Sequence, residues 1–320
     1  MKPVYKNKIV ILDGYTENPG DLSWEGLYAF GTVTNYDRTA AEDIYDRIQE
    51  ADIVLTNKTP LRKEVLTRCP HLKYIGVLAT GYDVVDIEAC QQLGIAVTNV
   101  PGYGTEAVAQ YAIALLLEVC SRVGHHNDAV KKGRWNQQPD WCFWEYPLIE
   151  LSQKTMGIIG LGRIGQTTAR IAEALGMHVM YYDAFKKDVP YPKASLEDVL
   201  KTSDVVVLHC PLTKENYHLI SEKTLSLMKK EAILINNSRG KLVDEMALAK
   251  ALKEHQIFAA ALDVTHEEPI DEHSPLLELD NCIITPHISW AAKESRERIL
   301  SMCIENIKAY LNGEELNRVD

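Results

Sequence analysis

Three glycines at a fixed spacing constrain this chain most. Gly160, Gly162 and Gly165 form the pattern G-x-G-x-x-G directly after a short apolar run, Met156–Ile159. In a strand–turn–helix unit the first glycine permits a tight turn, the second lets a pyrophosphate approach the backbone, and the third lets helix and strand pack closely. The N-terminus of the following helix offers unpaired N–H groups and the positive end of its dipole to phosphates. The pattern therefore predicts a dinucleotide-binding βαβ unit.

The residues that follow the glycines fit this unit. Periodic apolar residues predict a helix over Arg163–Gly176, and a second strand is expected at His178–Asp183. Asp183 stands at the end of that strand, where an acidic residue would accept hydrogen bonds from the hydroxyls of an adenosine ribose. A ligand-free βαβ turn is therefore the less favoured interpretation.

The composition is that of an ordinary globular protein. With 320 residues the chain is long enough for two domains, and 46% of its residues are hydrophobic and 25% charged. The net charge of −11 argues against a surface that binds nucleic acid or an anionic membrane, because such a surface needs an excess of basic residues.

The cysteines and the apolar stretches predict a cytoplasmic protein. The seven cysteines are scattered and odd in number, with no C-x-x-C pair and no Cys/His cluster of zinc spacing, so we expect reduced thiols and no metal. The first residues, MKPVYKNKIVILDG, lack the apolar core and cleavage site of a signal peptide. The longest apolar helix stretch, Ala107–Cys120, is too short to span a bilayer and contains Gln110 and Glu118.

Short apolar strands alternate with helices along the chain, which predicts parallel sheets covered by helices. In the first hundred residues the expected strands are Lys8–Leu12, Gly31–Asn35, Ile53–Asn57, Tyr74–Leu78 and Ile95–Thr98. The expected helices there are Ala40–Glu50, Leu61–Cys69 and Asp86–Leu93. Later strands are expected near 156–160, 178–183, 205–210, 232–237, 257–263 and 282–286. These six would complete a dinucleotide-binding fold of two βαβαβ halves.

Three further segments concern the organisation of the domains. Asn99–Thr105 is rich in turn formers, and a long amphipathic helix, roughly Glu106–Val123, follows it as the passage between domains. Lys131–Tyr146 gathers five aromatic residues on a loop-like segment, which is more typical of an interface than of a core. The last helix, Ala291–Leu311, has no sheet of its own and is expected to pack on the first domain.

An arginine, a glutamate and a histidine follow three successive strands of the second domain. Arg239, Glu268 and His287 come after the fourth, fifth and sixth strands, and ligands of open α/β sheets bind beyond such strand ends. The planar fork of arginine holds a carboxylate or a 2-oxo oxygen, and histidine donates or removes a hydroxyl proton. A carboxylate beside the histidine would orient its ring and favour the protonated form. Each residue alone has an ordinary structural interpretation, but their equivalent positions favour hydride transfer on a 2-oxo or 2-hydroxy acid.

Several separated motifs together resemble the D-isomer-specific 2-hydroxyacid dehydrogenases. They are GIIGLGRIG, NNSRG, DVTHEEP and TPHISWAA, with ATGYDVVD in the first domain. The resemblance covers essentially the whole chain. It implies an α/β fold in which a Rossmann NAD-binding domain, residues 101–290, is inserted into a flavodoxin-like substrate domain, residues 1–100 and 291–320. CFWEYPLIEL and HISWAA are most similar to the glycerate dehydrogenases, also called hydroxypyruvate reductases.

The resemblance also implies a role for each candidate site residue. His287 would be the acid/base, Glu268 its partner and Arg239 the substrate anchor, while backbone N–H groups of Thr80 and Gly81 would bind the substrate carboxylate. The implied cofactor contacts are Gly160, Gly162, Arg163, Ile164 and Gly165 at the pyrophosphate, Asp183 at the ribose, Cys210 and Pro211 beside the adenine, and Thr105, Ser238 and Asp263 near the nicotinamide.

The resemblance further bears on the cofactor and the oligomeric state. Asp183 implies NAD, because it would repel a 2′-phosphate, while Lys186 and Lys187 keep some NADP use open. A homodimer formed through the helix after Thr105 and its aromatic extension is also implied.

The substrate and one other class of protein remain open at this point. Hydroxypyruvate or glyoxylate reduction is favoured, but the same chemistry could act on D-lactate, 3-phosphoglycerate or a bulkier branched acid, and a relative that oxidises formate or phosphite is a further option. The alternative of another class is a non-catalytic NAD-sensing protein of the same fold, like the co-repressors that resemble this family.

Overall fold

The computed structural model describes residues 6–320, and the prediction about a signal peptide rests partly on residues 1–5, outside that range. The chain forms two compact units. Among the described residues, the first unit comprises 6–104 and 291–320, and the second comprises Thr105–Trp290.

The first unit is a parallel sheet with short helices. Its strands are β1 (Asn7–Ile11), β2 (Gly31–Asn35), β3 (Ile53–Thr56), β4 (Tyr74–Val77) and β5 (Ala96–Thr98). Its helices are α1 (Ile44–Ile48), α2 (Lys63–Leu66), α3 (Ile87–Leu93) and, from the C-terminal part of the chain, α10 (Lys293–Leu311). The strand order is β2-β1-β3-β4-β5, with every pair parallel. This is the flavodoxin-like order, so the predicted fold class is confirmed.

Local signals explain the ends of these elements. The Asp86 side chain accepts a hydrogen bond from the N–H of Ala89 and caps the start of α3, while Gly94 ends that helix with a φ of 67°. The predicted helix over Ala40–Glu50 is shorter and begins with a 3-10 turn, Ala41–Asp43. The helix α10 packs against β4, where the rings of Tyr74 and Tyr310 lie 4.8 Å apart.

The second unit begins with two helices and continues as a second parallel sheet. Its helices are α4 (Thr105–Ser121), α5 (Val123–Lys131), α6 (Arg163–Ala174), α7 (Leu196–Thr202), α8 (Glu222–Leu225) and α9 (Glu245–Lys253). Its strands are β6 (Thr155–Ile159), β7 (His178–Tyr182), β8 (Val205–Leu208), β9 (Ile233–Asn236), β10 (Ala259–Leu262) and β11 (Cys282–Ile284). The six strands match the six predicted ones, each one or more residues shorter at its C-terminal end.

The core of the second unit lies on both faces of this sheet. Val205 and Val207 of β8 point into the cluster that contains residues of α4 and α6. Val206 and Leu208 point into the opposite cluster, which contains residues of α7 and α9. Burial on both faces explains why these strands are unbroken apolar runs rather than alternating ones.

The strand order corrects one detail of the predicted dinucleotide fold. The order is β11-β10-β9-β8-β6-β7. In the usual Rossmann order the third strand along the chain lies beside the second, but here the third strand, β8, pairs with β6. Where the usual order has a third strand beyond β7, the chain has only a parallel bridge between Tyr181 and Lys193. With that bridge counted, the order is that of a Rossmann fold with one extra strand, β11, at the edge.

The predicted helix Glu106–Val123 is also modified. It begins at Thr105 and ends at Ser121; Arg122 then takes a φ of 47° and α5 follows. Among the described residues no single helix is long and apolar enough to cross a membrane, and α4 and α5 reach that composition only as a pair bent by 54°.

Candidate active site

Two of the three fingerprint glycines are required by the fold itself. Gly160 follows β6 with a φ of +97°, and a Cβ there would lie 2.5 Å from the backbone nitrogen of Cys210. A Cβ on Gly165 would lie 2.3 Å from the carbonyl oxygen of Gly160. Real Cβ atoms do not approach backbone atoms this closely, so these positions exclude larger residues without any ligand.

Gly162 is different, since the protein does not need a glycine there. A Cβ on it would meet no atom within 4 Å, and its φ of −75° is open to any residue. It is the N-cap of α6, a twelve-residue helix, and no side chain caps that end. The open space above the helix N-terminus fits a bound pyrophosphate, with the backbone of Arg163 and Ile164 in the first turn.

This contrast predicts opposite outcomes for two alanine substitutions. Gly162→Ala should keep the free energy of unfolding within about 1 kcal/mol but weaken NADH binding by about 5- to 100-fold, because its methyl group fills the ligand's space. Gly165→Ala should instead lower the free energy of unfolding by about 1–3 kcal/mol. Denaturant melts and NADH titration check both. Equal loss of stability in the two variants would contradict this interpretation of Gly162.

Asp183 lies immediately after β7, beside the fingerprint loop. One carboxylate oxygen accepts from the N–H of Leu161 at 2.8 Å, and the other accepts from the N–H of Phe185 at 2.9 Å. Lys187 lies 3.5 Å from the second oxygen. Each oxygen has two lone pairs, so the carboxylate retains acceptor capacity for ribose hydroxyls.

The end of β8 lies at the topological switch point of the sheet, between β6 and β8. The residues there are His209, Cys210 and Pro211. His209 is half-buried and hydrogen-bonds to the Thr168 hydroxyl of α6 at 2.9 Å, and desolvation lowers its pKa to about 3. Burial raises the pKa of the Cys210 thiol to about 11, so it stays protonated. His209 is therefore a neutral packing residue, while Cys210 and Pro211 stand where ligands of such sheets bind.

Arg239, Glu268 and His287 follow three neighbouring strands. The strands β9, β10 and β11 are adjacent and parallel, so their carboxyl ends meet at one edge of the sheet. Nδ1 of His287 lies 2.7 Å from Oε2 of Glu268, and both side chains are about one-third exposed (32% and 39%). Because the carboxylate accepts, Nδ1 carries the proton and Nε2 is the nitrogen turned to other partners. Arg239 is exposed, and one N–H of its guanidinium donates to the Ser238 carbonyl at 2.7 Å.

The loop that carries His287 is held by a buried carboxylate at the end of β10. Asp263 is 1% exposed and accepts three hydrogen bonds from that loop. The donors are the Thr285 hydroxyl at 2.6 Å and the N–H groups of Ile288 and Ser289 at 2.9 and 2.7 Å. His287 itself has a φ of 55°, a left-handed conformation that these bonds maintain. Asp263 therefore positions the histidine, besides any contact with the nicotinamide half of a cofactor.

Sequence reasoning missed two residues that tie the strand ends together. Asn237, after β9, donates from Nδ2 to the Val108 carbonyl of α4 at 2.9 Å and to the Ser289 hydroxyl at 3.3 Å. A Cβ on Gly240 would lie 1.7 Å from the carbonyl oxygen of Thr265, so the Arg239 turn packs directly on the loop that leads to Glu268. The motif NNSRG contains both residues, but their partners are distant in sequence and left no signal.

The remaining predicted contacts are divided between the two units. Ser238 donates from its hydroxyl to the Cys210 carbonyl at 3.3 Å, which links the ends of β9 and β8. Thr105 begins α4, the helix that Asn237 reaches one turn later. Thr80 and Gly81 belong to the first unit and follow β4, where the Thr80 hydroxyl donates to the Val100 carbonyl at 3.0 Å.

Two neighbouring histidines of α5 make specific contacts. Nε2 of His125 lies 2.5 Å from Oε2 of Glu145, and Nδ1 of His126 lies 2.8 Å from the Arg122 carbonyl. Nε2 of His126 also accepts from the N–H of Glu145 at 3.3 Å, so both histidines join α5 to the aromatic segment that follows it. Within residues 6–320 no group of three histidine, cysteine or acidic residues could hold a metal ion.

Comparison with known proteins gives consistent results. The model of the D-isomer specific 2-hydroxyacid dehydrogenase, NAD binding domain, matches residues 113–289. A hydroxypyruvate reductase of Blautia hydrogenotrophica is 51% identical over 320 residues, which cover 98% of this chain and 99% of that protein. A glycerate dehydrogenase of Methylorubrum extorquens is 39% identical over 281 residues, 87% of this chain and 88% of that protein.

A solved structure extends the comparison. The NADPH-dependent glyoxylate/hydroxypyruvate reductase of Sinorhizobium meliloti, in complex with NADP and malonate, superposes with a TM-score of 0.83 at 28% identity. The match covers 98% of this chain and 97% of that one.

Proposed function

This chain belongs to the D-isomer-specific 2-hydroxyacid dehydrogenase family, and on that premise we propose that it reduces hydroxypyruvate or glyoxylate to D-glycerate or glycolate with NADH. The similar proteins are named for hydroxypyruvate, glycerate and glyoxylate, which supports a small 2-oxo acid as substrate. The observation that carries the proposal is the 2.7 Å contact of His287 Nδ1 with Glu268 at the sheet edge where Arg239 also stands.

Each side chain has one task in this reaction. When bound, the reduced nicotinamide supplies a hydride to C2 of the acid. The guanidinium of Arg239 holds the carboxylate or the 2-oxo oxygen through charge-assisted hydrogen bonds. His287 gives its Nε2 proton to the 2-oxo oxygen as that oxygen becomes a hydroxyl. The Glu268 carboxylate stabilises the charged ring before the transfer, and the oxidation direction reverses each step.

A substrate panel tests the proposal. We expect kcat/KM with NADH to be highest for hydroxypyruvate or glyoxylate and lower for pyruvate, because both favoured acids are small and polar. If the purified protein leaves all three acids unreduced, the proposed reductase function is wrong. Binding of NADH without any reduction would support the NAD-sensing alternative.

The choice of NADH over NADPH rests on Asp183. Its carboxylate is fixed beside the fingerprint loop by Leu161 and Phe185, where it would accept from ribose hydroxyls and repel a 2′-phosphate. Lys187, 3.5 Å away, weakens that repulsion. The Sinorhizobium meliloti reductase is NADPH-dependent, so family membership alone does not decide between the two cofactors.

Asp183→Ala should therefore change the two cofactors unequally. We expect the dissociation constant for NADH to rise about 10- to 100-fold, because two charge-assisted hydrogen bonds are lost. The constant for NADPH should change less than about threefold, since repulsion is relieved together with any lost contact. Fluorescence titration measures both, with Asp188→Ala as the control for an exposed acid nearby. An equal effect on the two cofactors would rule out the ribose role.

We also propose a homodimer built on α4, α5 and the aromatic segment after them. Trp141 and Trp144 of that segment are 86% and 65% exposed, and large aromatic residues are enriched at protein interfaces. Sedimentation equilibrium distinguishes a dimer from a monomer.

A further inference from the structure

The C-terminal tail, residues 312–320, adds a short edge to the sheet of the first unit. Thr98 at the end of β5 and Arg318 form an antiparallel bridge, and the N–H of Val319 donates to the Val97 carbonyl at 3.0 Å. The N–H of Val97 in turn donates to Oδ1 of Asp320 at 2.7 Å. The tail is therefore fixed alongside the strand that leads into Asn99.

Asn99 is the meeting point of three hydrogen bonds. Its N–H donates to the Asn317 carbonyl at 3.2 Å, and its carbonyl accepts from Nδ2 of Asn306 at 2.9 Å. Its own Nδ2 donates to the Thr80 carbonyl at 2.8 Å. Asn306, in the middle of α10, is 1% exposed, and its Oδ1 accepts from Nδ2 of Asn317 at 2.8 Å. A continuous set of amide hydrogen bonds thus runs from the tail to Thr80.

The last of these bonds, from Asn99 Nδ2, acts on the peptide group between Thr80 and Gly81. The carbonyl of Thr80 and the N–H of Gly81 belong to the same planar peptide, and in a trans peptide they point in opposite directions. Holding the Thr80 oxygen therefore fixes the direction of the Gly81 N–H. A hydrogen bond to the carbonyl also polarises the peptide group and strengthens its N–H as a donor. The Thr80 hydroxyl bond to Val100 restrains the same residue from its other side.

We propose that Asn99 is a positioning residue for the 2-oxo acid, aiming the Gly81 N–H at the substrate carboxylate, and that Asn306 and Asn317 connect it to the C-terminal tail. This inference rests on the proposed function, since it takes Thr80 and Gly81 as the carboxylate-binding loop. Asn99 does not itself contact the substrate, and it acts through the peptide that follows Thr80.

The test uses two substitutions and a matched control in the full chain. Asn99→Asp keeps the shape of the side chain but removes its donor. Asn317→Gly removes the donor to Asn306 and keeps a residue that tolerates the φ of 53° found there. Asn312→Asp changes an exposed asparagine just after α10 and serves as the control. The measurements are KM and kcat for the preferred 2-oxo acid, the NADH dissociation constant, and hydrogen exchange of residues 79–85.

We expect Asn99→Asp to raise KM about 10- to 100-fold with kcat within about threefold. The reason is that a misdirected Gly81 N–H weakens binding of the substrate and of the transition state equally. Asn317→Gly should raise KM in the same direction by about two- to fivefold, as an indirect effect. NADH binding should be unchanged in both, and exchange at residues 79–85 should be faster. The Asn312→Asp protein should behave as wild type.

The outcomes separate this inference from the proposed function. If the wild type reduces none of the acids, the proposed function fails. The positioning role is tested separately by hydrogen exchange, and it is overturned if exchange at residues 79–85 is the same in Asn99→Asp as in the wild type. If the wild type is active and Asn99→Asp lowers only the melting temperature, with KM unchanged, Asn99 is merely structural and the inference is wrong. Should Asn99→Asp not fold, an unchanged KM in Asn317→Gly with unchanged exchange overturns it.

Discussion

Replacing His287 by asparagine is expected to lower kcat for 2-oxo acid reduction by about 10²- to 10⁴-fold, the usual contribution of a general acid. Asparagine has no proton to give to the developing hydroxyl group, but it tolerates the left-handed backbone found at this position. Asp263 holds the loop through the backbone of Ile288 and Ser289, so the substitution should leave the loop in place. NADH should therefore bind with a dissociation constant within about threefold of wild type.

The matched control for this loss is His273→Asn. His273 is on the segment that follows Glu268 and its side chain is 86% exposed, so we expect no change in kcat. If the His287 variant binds NADH much more weakly but keeps the wild-type kcat at saturating NADH, the histidine is a cofactor ligand instead of an acid. Stopped-flow measurement of a single turnover distinguishes a slow chemical step from slow product release.

Glu268→Gln tests the role of the glutamate in the pair that it forms with His287. Glutamine still accepts a hydrogen bond from Nδ1 but carries no negative charge, so it stabilises the protonated ring less before the proton is transferred. The kcat for reduction at neutral pH should therefore fall. The oxidation direction, which needs the uncharged ring, should suffer less at neutral pH.

Most of the strands were predictable because they are buried. Strands such as β8 and β10 are apolar throughout, and this composition distinguishes them from the polar turns around them. The Tyr181–Lys193 bridge was missed because Pro190 and Pro192 come shortly before Lys193, and proline is rare within strands. A single bridge residue is also too short to produce the alternating apolar and polar pattern that identifies a strand. Hence the number of strands was right while the strand order was incomplete.

The site was predictable at its strand ends but not in its supporting contacts. The sequence indicated Arg239, Glu268 and His287 as candidates because side chains that follow successive parallel strands gather at one sheet edge. The bonds that hold them depend on partners that the sequence pattern does not identify. Asp263 bonds to residues more than twenty positions later, and Asn306 reaches Asn99 across 207 positions. From the sequence pattern alone, an asparagine in a helix such as Asn306 is assigned to the solvent-exposed face, and only the structure shows that it is buried.

The three fingerprint glycines differ in what surrounds them in the structure. All three glycines fit one motif, yet only Gly160 and Gly165 are required by neighbouring backbone atoms. Gly162 has open space, and this is the property that a ligand-binding glycine should have. Steric surroundings thus separate a glycine that the fold needs from one that the ligand needs.

Replacing Arg239 is expected to have the other large effect. Arg239→Met should lower kcat/KM for the 2-oxo acid by about 10²- to 10⁴-fold, because two charge-assisted hydrogen bonds of about 1.5–3 kcal/mol each are lost. Arg239→Lys should recover only part of this, since lysine keeps the charge but lacks the planar fork that holds two oxygens at once. NADH binding should change little in either variant.

The position of Arg239 makes this test specific. Its backbone is fixed by the bond from Asn236 Nδ2 to its carbonyl at 2.9 Å and by the close packing of Gly240 on Thr265, so a new side chain should not move the turn. Lys241→Met removes a neighbouring positive charge two residues later and controls for a general loss of attraction for anions. If Arg239→Met costs less than about fivefold, or if Lys241→Met costs as much, the arginine is not the substrate anchor. A loss confined to Arg239, with the partial recovery by lysine, would assign the carboxylate to its guanidinium.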